Sequence, residues 1–286
     1  MKIAVVALGG NAILPPGERG TIKQQLAHVN KTASQLKCLF GKYRVVITHG
    51  NGPQVGNLLL QQKNLKIKKP LDVLGAMTQG QLGYLIQNAL KNIGKKAVTV
   101  VTQVVVSKER IKPTKPIGPY FRTKKERWMI KEPEGWRKIV PSPKPKEIIE
   151  LEQIKELIKK GYIVIGCGGG GIPVARSRKK LQGIEAVIDK DRTSSLLARK
   201  LKAELLVILT DVDYVYLDYE NKNKTPIKQI TVKEIKKYMS HFKEGSMKPK
   251  IEAAIEFLKD RKGKVIITKP ELLDKALRGE TGTTIK

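Results

Sequence analysis

Six short runs of β-branched and aliphatic residues, KIAVVAL (2–8), YRVVIT (43–48), KAVTVVTQVVV (96–106), GYIVIG (161–166), ELLVILT (204–210) and KVIIT (264–268), are separated by longer stretches with apolar residues at helical spacing. Those stretches include QQLAHVNKTASQLKCLF, AMTQGQLGYLIQNALKNI, EIIELEQIKELIKK, TSSLLARKLKA and IEAAIEFLKD. A short continuous apolar run suits a strand covered on both faces, whereas a stretch of helical period buries one stripe only. Strands that alternate with helices in this way cannot be joined as hairpins. They predict an α/β fold with a largely parallel sheet and helices on both sides. The opening MKIAVVALGGNAIL is read as the first strand, because its short apolar block runs into Gly-Gly-Asn and Pro-Pro without a small-residue cleavage site. No apolar run approaches the roughly 18 residues that span a bilayer, so no membrane role is expected.

One stretch breaks the alternation. Residues 107–145 are rich in proline and charge and hold both tryptophans, in KPTKPIGPYF and GWRKIVPSPKP. Proline-fixed backbone with aromatic anchors predicts a small ordered, lid-like protrusion inserted in one domain that spans 1–286, rather than a linker. A strand pair is expected in YLDYENKNKTPIKQ around a polar turn at Asn221–Lys224, and Thr231 with Glu234 should form a capping box.

The glycines follow the strands. Gly9 and Gly10 come after the first, Gly50 and Gly52 after the second, Gly168, Gly169, Gly170 and Gly171 after GYIVIG, and TDVD after ELLVILT. In a parallel sheet these positions share the carboxyl edge, where ligands bind. Bare amides at strand ends and helix starts suit an anion, phosphate above all, and Gly168, Gly169 and Gly170 are expected among the phosphate ligands. GCGGGG matches G-x-G-x-x-G formally, but Ile172-Pro173 and a basic segment follow it instead of a helix, and the chain has no G-x-x-x-x-G-K-[ST]. The cations must therefore come from elsewhere.

Lys190 stands between two carboxylates in VIDKD at the start of a helix, and Asp191 is placed to orient ammonium groups. In GSMKPKIEAAIEFL, Ser246 reads as an N-cap and Pro249 falls in the first turn, which puts Lys250 where a cation opposes the helix dipole unless an anion is bound. Lys115 is held between Pro113 and Pro116. His49 beside a glycine turn reads as a structural hydrogen-bonder rather than a general base, and Cys167 as a small strand-end residue rather than a nucleophile. With 56 Lys and Arg against 26 Asp and Glu, the chain carries +30 and favours anionic partners. The lysines are spread along the whole chain without interleaved aromatics, so nucleic-acid binding is not the expected main role. Two cysteines at no metal-like or redox-like spacing point to a reducing compartment, with the cytoplasm expected.

The segments VALGGNAI, THGNGPQVGNLLLQ, PLDVLGAMTQGQLGY, TQVVV, PTKPIGPY, GWRKIVPSPKP, GCGGGGIPV, GIEAVIDKD, LVILTDVDYVY and GSMKPKIEAAIEF together resemble the carbamate kinases of the amino acid kinase family. The resemblance implies a three-layer αβα sandwich around an open, mainly parallel sheet of about eight strands, with a subdomain protruding near 107–145, and a homodimer. It implies phosphoryl exchange between ATP and carbamate, reversible with ADP and carbamoyl phosphate, with Mg2+ carried on the nucleotide phosphates and no metal seated by the protein. Gly9, Gly10 and Asn11 would hold the transferred phosphoryl group, and Gly50, Asn51 and Gly52 would face the carbamoyl end. Lys115 would reach the carbamoyl group, Lys190 and Lys250 the phosphates, and Asp191 would organise the lysines. Asp211, Tyr216 and Met247 would lie on the nucleotide side. The chain has Pro133-Glu134-Gly135-Trp136 where that family carries Gly-Arg-Gly-Trp, a departure that bears on the contacts of the protrusion. Two alternatives stay open, a family kinase acting on another carboxylate or phosphate and a polyanion or RNA binder on a kinase scaffold. TKPIGP argues against the first, and Lys115, Lys190 and Lys250 against the second.

Overall fold

The strand Lys2–Leu8 sends its side chains alternately into two cores, Val5 and Ala7 into one and Ala4, Val6 and Leu8 into the other. Leu205–Leu209 does the same, with Leu206 and Ile208 on one face and Leu205, Val207 and Leu209 on the other. A strand buried on both faces must be apolar at every position, which is why these runs show no polar alternation. The computed structural model describes residues 1–15, 17–107, 111–132, 134–177, 180–219, 224–242 and 247–286, with the side chain of Asn11 outside the described set.

Among the described residues the helices are α1 (Ile22–Gln35), α2 (Gly52–Gln61), α3 (Leu71–Asn92), α4 (Leu151–Lys159), α5 (Lys190–Lys200), α6 (Val232–Ile235), α7 (Met247–Leu258) and α8 (Leu273–Arg278). The main sheet has eight strands in the spatial order Gln229–Ile230, Thr283–Ile285, Lys264–Thr268, Leu205–Leu209, Lys2–Leu8, Tyr43–His49, Ile163–Ile165 and Ala97–Thr99. All neighbours run parallel except Thr283–Ile285 against Lys264–Thr268. Ile154, Leu197, Ile251 and Phe257 from α4, α5 and α7 fill the core on one face, and Val29, Leu82, Ile86 and Leu273 from α1, α3 and α8 fill the other. Each such side chain stabilises the fold by about 1.5–3 kcal/mol on burial. This is the αβα arrangement expected from the alternation.

The run 96–106, read above as one strand, is two. Ala97–Thr99 ends the main sheet, while Gln103–Val106 pairs with Ile172–Ser177 and Pro145–Ile148 in a second, four-stranded sheet. Between them the side chain of Gln79 takes the place of a neighbouring strand. Its amide donates to Thr102 O at 3.1 Å and its oxygen accepts Thr102 N–H at 2.8 Å. Apolar periodicity continues through the break and so conceals it. The hairpin Val215–Leu217 with Thr225–Ile227 forms as expected, residues 221–223 of its turn lying outside the described residues, and Thr231 and Glu234 make their capping box.

Within 107–145, the strands Pro113–Phe121, Gly135–Pro141 and Met129–Glu132 form a separate antiparallel sheet in that order. It packs on α2 through Ile117 and Val140, which meet Val55, Leu71, Leu74 and Val187. The tightest point is Gly56 of α2 against Gly118, where a Cβ on Gly56 would stand 2.0 Å from Gly118 Cα. Neither partner there is a flexible side chain. Gly56→Val is therefore expected to cost about 1–3 kcal/mol or more through overpacking. A thermal melt unchanged from wild type would show that α2 and the small sheet are not held this closely.

Candidate active site

The strands ending at Leu8, His49, Ile165 and Leu209 run parallel, so the loops that follow them meet at one edge of the sheet. Above that edge lies a cavity of about 1730 Å³. Gly9, Gly10, Gly50, Asn51 and Gly52 line it, as do Lys115, Lys190, Asp191 and Lys250. Of the three glycines after GYIVIG singled out as phosphate ligands, Gly169 reaches the wall. Gly168, Gly169 and Gly170 are all buried, and a Cβ on Gly168 would strike His49 and one on Gly170 would strike Ile188. Gly169 has φ +64°, and a Cβ there would lie 2.2 Å from Asn51 Nδ2. Its absence leaves room for Asn51, whose amide donates to Thr78 Oγ1 at 2.8 Å. The side chain of Asn11 and residue Ser246 lie outside the described residues.

Lys190 opens α5, and the cap of that helix is Asp189. Its Oδ1 accepts the N–H groups of Asp191 at 2.9 Å and Arg192 at 3.3 Å. Three hydroxyls pin this first turn. Thr193 Oγ1 donates to Gly170 O at 2.8 Å, Ser194 Oγ donates to Lys190 O at 2.6 Å, and Thr48 at the end of its strand bonds Ser194 Oγ at 2.6 Å. A lysine in a first turn is unfavourable toward the helix dipole, and here two carboxylates compensate. Asp191 Oδ1 holds Lys190, Asp191 Oδ2 holds Lys250 at 3.4 Å, and Asp189 Oδ2 holds Lys115 from the small sheet.

These pairs are buried, and burial acts on each charge. It would raise both aspartates, but Lys115, Lys190 and Lys250 outweigh it and hold Asp189 and Asp191 below the usual carboxylate range. Burial and the neighbouring Lys250 pull Lys190 below the usual lysine value despite Asp191. Lys250 feels the same burial, yet Asp191 and Asp189 carry it above that value. The outcome is a row of three ammonium groups facing a cavity lined with backbone amides. Such a row can hold and neutralise a polyphosphate.

Further along the same cavity stand Asp211, Tyr216 and Met247. Tyr216 donates its hydroxyl to Asp213 Oδ1 at 2.9 Å, and Lys224 Nζ sits 4.9 Å from the ring centroids of both Tyr216 and Tyr219. The cavity therefore joins every predicted lysine to every predicted nucleotide-side residue. Sequence reasoning missed Asp189 as a site residue, although an aspartate directly before a helix signals an N-cap. It also missed Arg19 and Arg137, which line the cavity. Arg137 donates from Nε to Gly118 O at 3.1 Å and lies over the Tyr120 ring, while Glu134 lines the same cavity.

His49 is structural. It is buried, and its Nδ1–H donates to Gly50 O at 3.1 Å. Burial, with a contribution from Lys190, lowers its pKa from 6.5 to about 4. A histidine with a depressed folded pKa contributes stability that is fully present above the unfolded value and is lost as pH falls through the folded value. Stability should thus decline between about pH 6.5 and pH 4 by an amount on the order of 3 kcal/mol, and His49→Gln should flatten that slope. Chemical denaturation across this window checks it, and an unaltered slope in the variant would contradict the assignment. Cys167 is buried with φ 51°, and burial pushes its thiol far up, consistent with an inert strand-end residue.

Known proteins resemble the chain over nearly its whole length. The profile of the amino acid kinase family matches residues 2–269. The carbamate kinase of Pyrococcus horikoshii is 44% identical, with 98% of each chain covered. Carbamate kinase 2 of Enterococcus faecalis is 44% identical over 100% of this chain and 99% of its own. The structure of the Giardia lamblia carbamate kinase bound to AMP-PNP superposes with a TM-score of 0.90 at 38% identity, covering 99% of this chain and 98% of that one. Matched across nearly its whole length at such identity, the chain belongs to the amino acid kinase family, within its carbamate kinase branch.

Proposed function

We propose that the chain catalyses reversible phosphoryl transfer between ATP and carbamate. The observation that carries this reading is the convergence of Lys115, Lys190 and Lys250 on one glycine-lined cavity, with Asp189 and Asp191 already committed to them. In the direction of ATP synthesis, a β-phosphate oxygen of ADP attacks the phosphorus of carbamoyl phosphate. The bond from phosphorus to the carbamate oxygen breaks, and carbamate leaves as an anion. Neither step moves a proton, so no general base is required. The barrier lies in gathering negative charge, and positioned ammonium groups and amides oppose it.

Lys190 and Lys250 would take the phosphoryl oxygens with Gly9, Gly10 and Asn11. Lys115 would meet the carbamoyl end beside Gly50, Asn51 and Gly52, and Asp211, Tyr216 and Met247 would flank the nucleoside. The sheet of residues 113–141 acts as a lid in this reading, since Lys115 rides on it and now rests on Asp189. Among the described residues no three His, Cys, Asp or Glu side chains gather as a metal-binding group. Mg2+ would be carried by the nucleotide phosphates, where it would neutralise charge. Incubation with ADP, magnesium and carbamoyl phosphate should yield ATP, with acetyl phosphate a much poorer donor. Equal use of the two donors, or ATP from neither, would refute the proposal.

The cytoplasm and a homodimer complete the reading. On α3, Val73, Met77, Gly80 and Tyr84 fall at helical spacing on one exposed stripe, and Tyr84 is 63% exposed. A second copy seated on this stripe would cover it. Sedimentation should find a dimer that Met77→Lys with Tyr84→Lys converts to monomer, and a wild-type monomer at micromolar concentration would rule it out.

A further inference from the structure

Both tryptophans of the chain, Trp128 and Trp136, lie on the small sheet outside the catalytic cavity lining. On this sheet three cations lie close to aromatic rings. Lys124 Nζ sits 5.6 Å from the ring centroid of Trp136, Lys125 Nζ 4.9 Å from Phe121, and Arg127 Cζ 5.1 Å from Trp128. Phe121 and Lys131 both pair across the strands with Trp136, so these three side chains share one face. Trp128, 45% exposed, directly precedes the strand Met129–Glu132, further along the same sheet.

The surroundings are cationic. Between residues 120 and 138 there are seven Lys and Arg against three Glu. Two of those carboxylates are engaged locally, Glu126 by Lys138 at 3.0 Å and Lys63 at 3.8 Å, and Glu132 by Arg137 at 3.4 Å. Lys63 also begins the exposed stretch KNLKIKK (63–69), which brings Lys66, Lys68 and Lys69 to the same end of the molecule. Aromatic rings beside ammonium and guanidinium groups match a ligand that offers π faces and phosphates together. Unstacked bases on a sugar-phosphate chain have both, whereas a duplex hides its base faces.

We infer that the outer end of this sheet is a binding face for single-stranded nucleic acid. Bases meet Trp128, Trp136 and Phe121, and phosphates meet Lys124, Lys125, Arg127 and the lysines of 63–69. Trp128, Trp136, Phe121, Lys124, Lys125 and Arg127 do not line the phosphoryl-transfer cavity, which this face adjoins at Lys131, and the face gives the +30 charge a partner.

The test uses tryptophan fluorescence of the full chain, because both reporters sit on the proposed face. Titration with a 15-residue oligo(U) should quench the emission to saturation. With about four phosphates contacted, affinity should fall roughly fiftyfold between about 50 and 200 mM salt. Lys124→Ala, Lys125→Ala and Arg127→Ala combined should reduce the salt slope by about two, with ADP-dependent phosphoryl transfer unchanged. Trp128→Ala should weaken binding about tenfold without changing the slope, the remaining signal coming from Trp136. Matching melting curves show that the variants fold. Binding of oligo(dT) as tight as oligo(U) supports recognition through bases and phosphates, and a preference for oligo(U) supports an RNA ligand. The inference is overturned by absence of quenching at low salt, by quenching that the triple variant leaves intact, or by a response to anionic phosphatidylglycerol vesicles and not to either oligonucleotide.

Discussion

Lys250→Ala lowers turnover by about a hundredfold or more, the scale on which removing one oriented charge donor acts at a transferring group. The effect is large because Lys250 is half of a pair bound to one carboxylate. Asp191 holds Lys190 on one oxygen and Lys250 on the other, so the two ammonium groups are fixed relative to each other before any substrate arrives. Without Lys250, phosphate charge that spreads over three oxygens in the transition state meets one cation fewer. The fold should tolerate the change, since Asp191 keeps Lys190 as its partner. Activity and stability therefore separate in this variant. Steady-state kinetics should show kcat falling with the melting temperature little altered. Wild-type turnover in Lys250→Ala would remove the lysine from the chemistry.

Asp191→Asn is expected to act on both. It keeps the volume and deletes the charge, leaving Lys190 and Lys250 facing one another beneath the surface. Breaking a buried charge network from one side typically costs about 3–5 kcal/mol. For a chain this long that corresponds to a melting temperature lower by roughly 6–20 °C. A bound polyphosphate supplies the missing negative charge, so ADP should restore more stability to the variant than it adds to wild type. Acid should mimic the substitution in the native chain. Asp189 and Asp191 are held below the ordinary carboxylate range, so the stability they contribute is present above the unfolded carboxylate pKa and is lost as pH falls through their folded values. Thermal melts of Asp191→Asn with and without ADP measure this. Equal stabilisation of both proteins by ADP would show that the phosphates do not sit over the two lysines.

How much of this was legible in the sequence depends on the reach of each signal. The parallel sheet was readable because a doubly buried strand must be apolar throughout, and Leu205–Leu209 is. The edge that carries the site was readable because glycine follows three of those strands. Lys190 was found from its local setting at a helix start, and so, in principle, was Asp189 as the cap. What no local rule could supply is the contact between Asp189 and Lys115, 74 residues apart. That pairing exists because the small sheet folds back over α5, and the α2 contact at Gly56 and Gly118 sets where it lands. The break within 96–106 was hidden for a similar reason. The residue that ends the strand there, Gln79, comes from α3. The ring and cation pairs on the small sheet follow the same pattern, with Lys124 meeting Trp136 only after the chain has run through Met129–Glu132 and turned back.

The account depends on where the phosphates bind, and a crystal structure of the chain with ADP and magnesium locates them. The account predicts phosphate density within hydrogen-bonding distance of the Lys190 and Lys250 ammonium groups and the amides of Gly9 and Gly10, with the nucleoside toward Tyr216 and Met247. Nucleotide bound at the opposite edge of the sheet, away from those lysines, would contradict it.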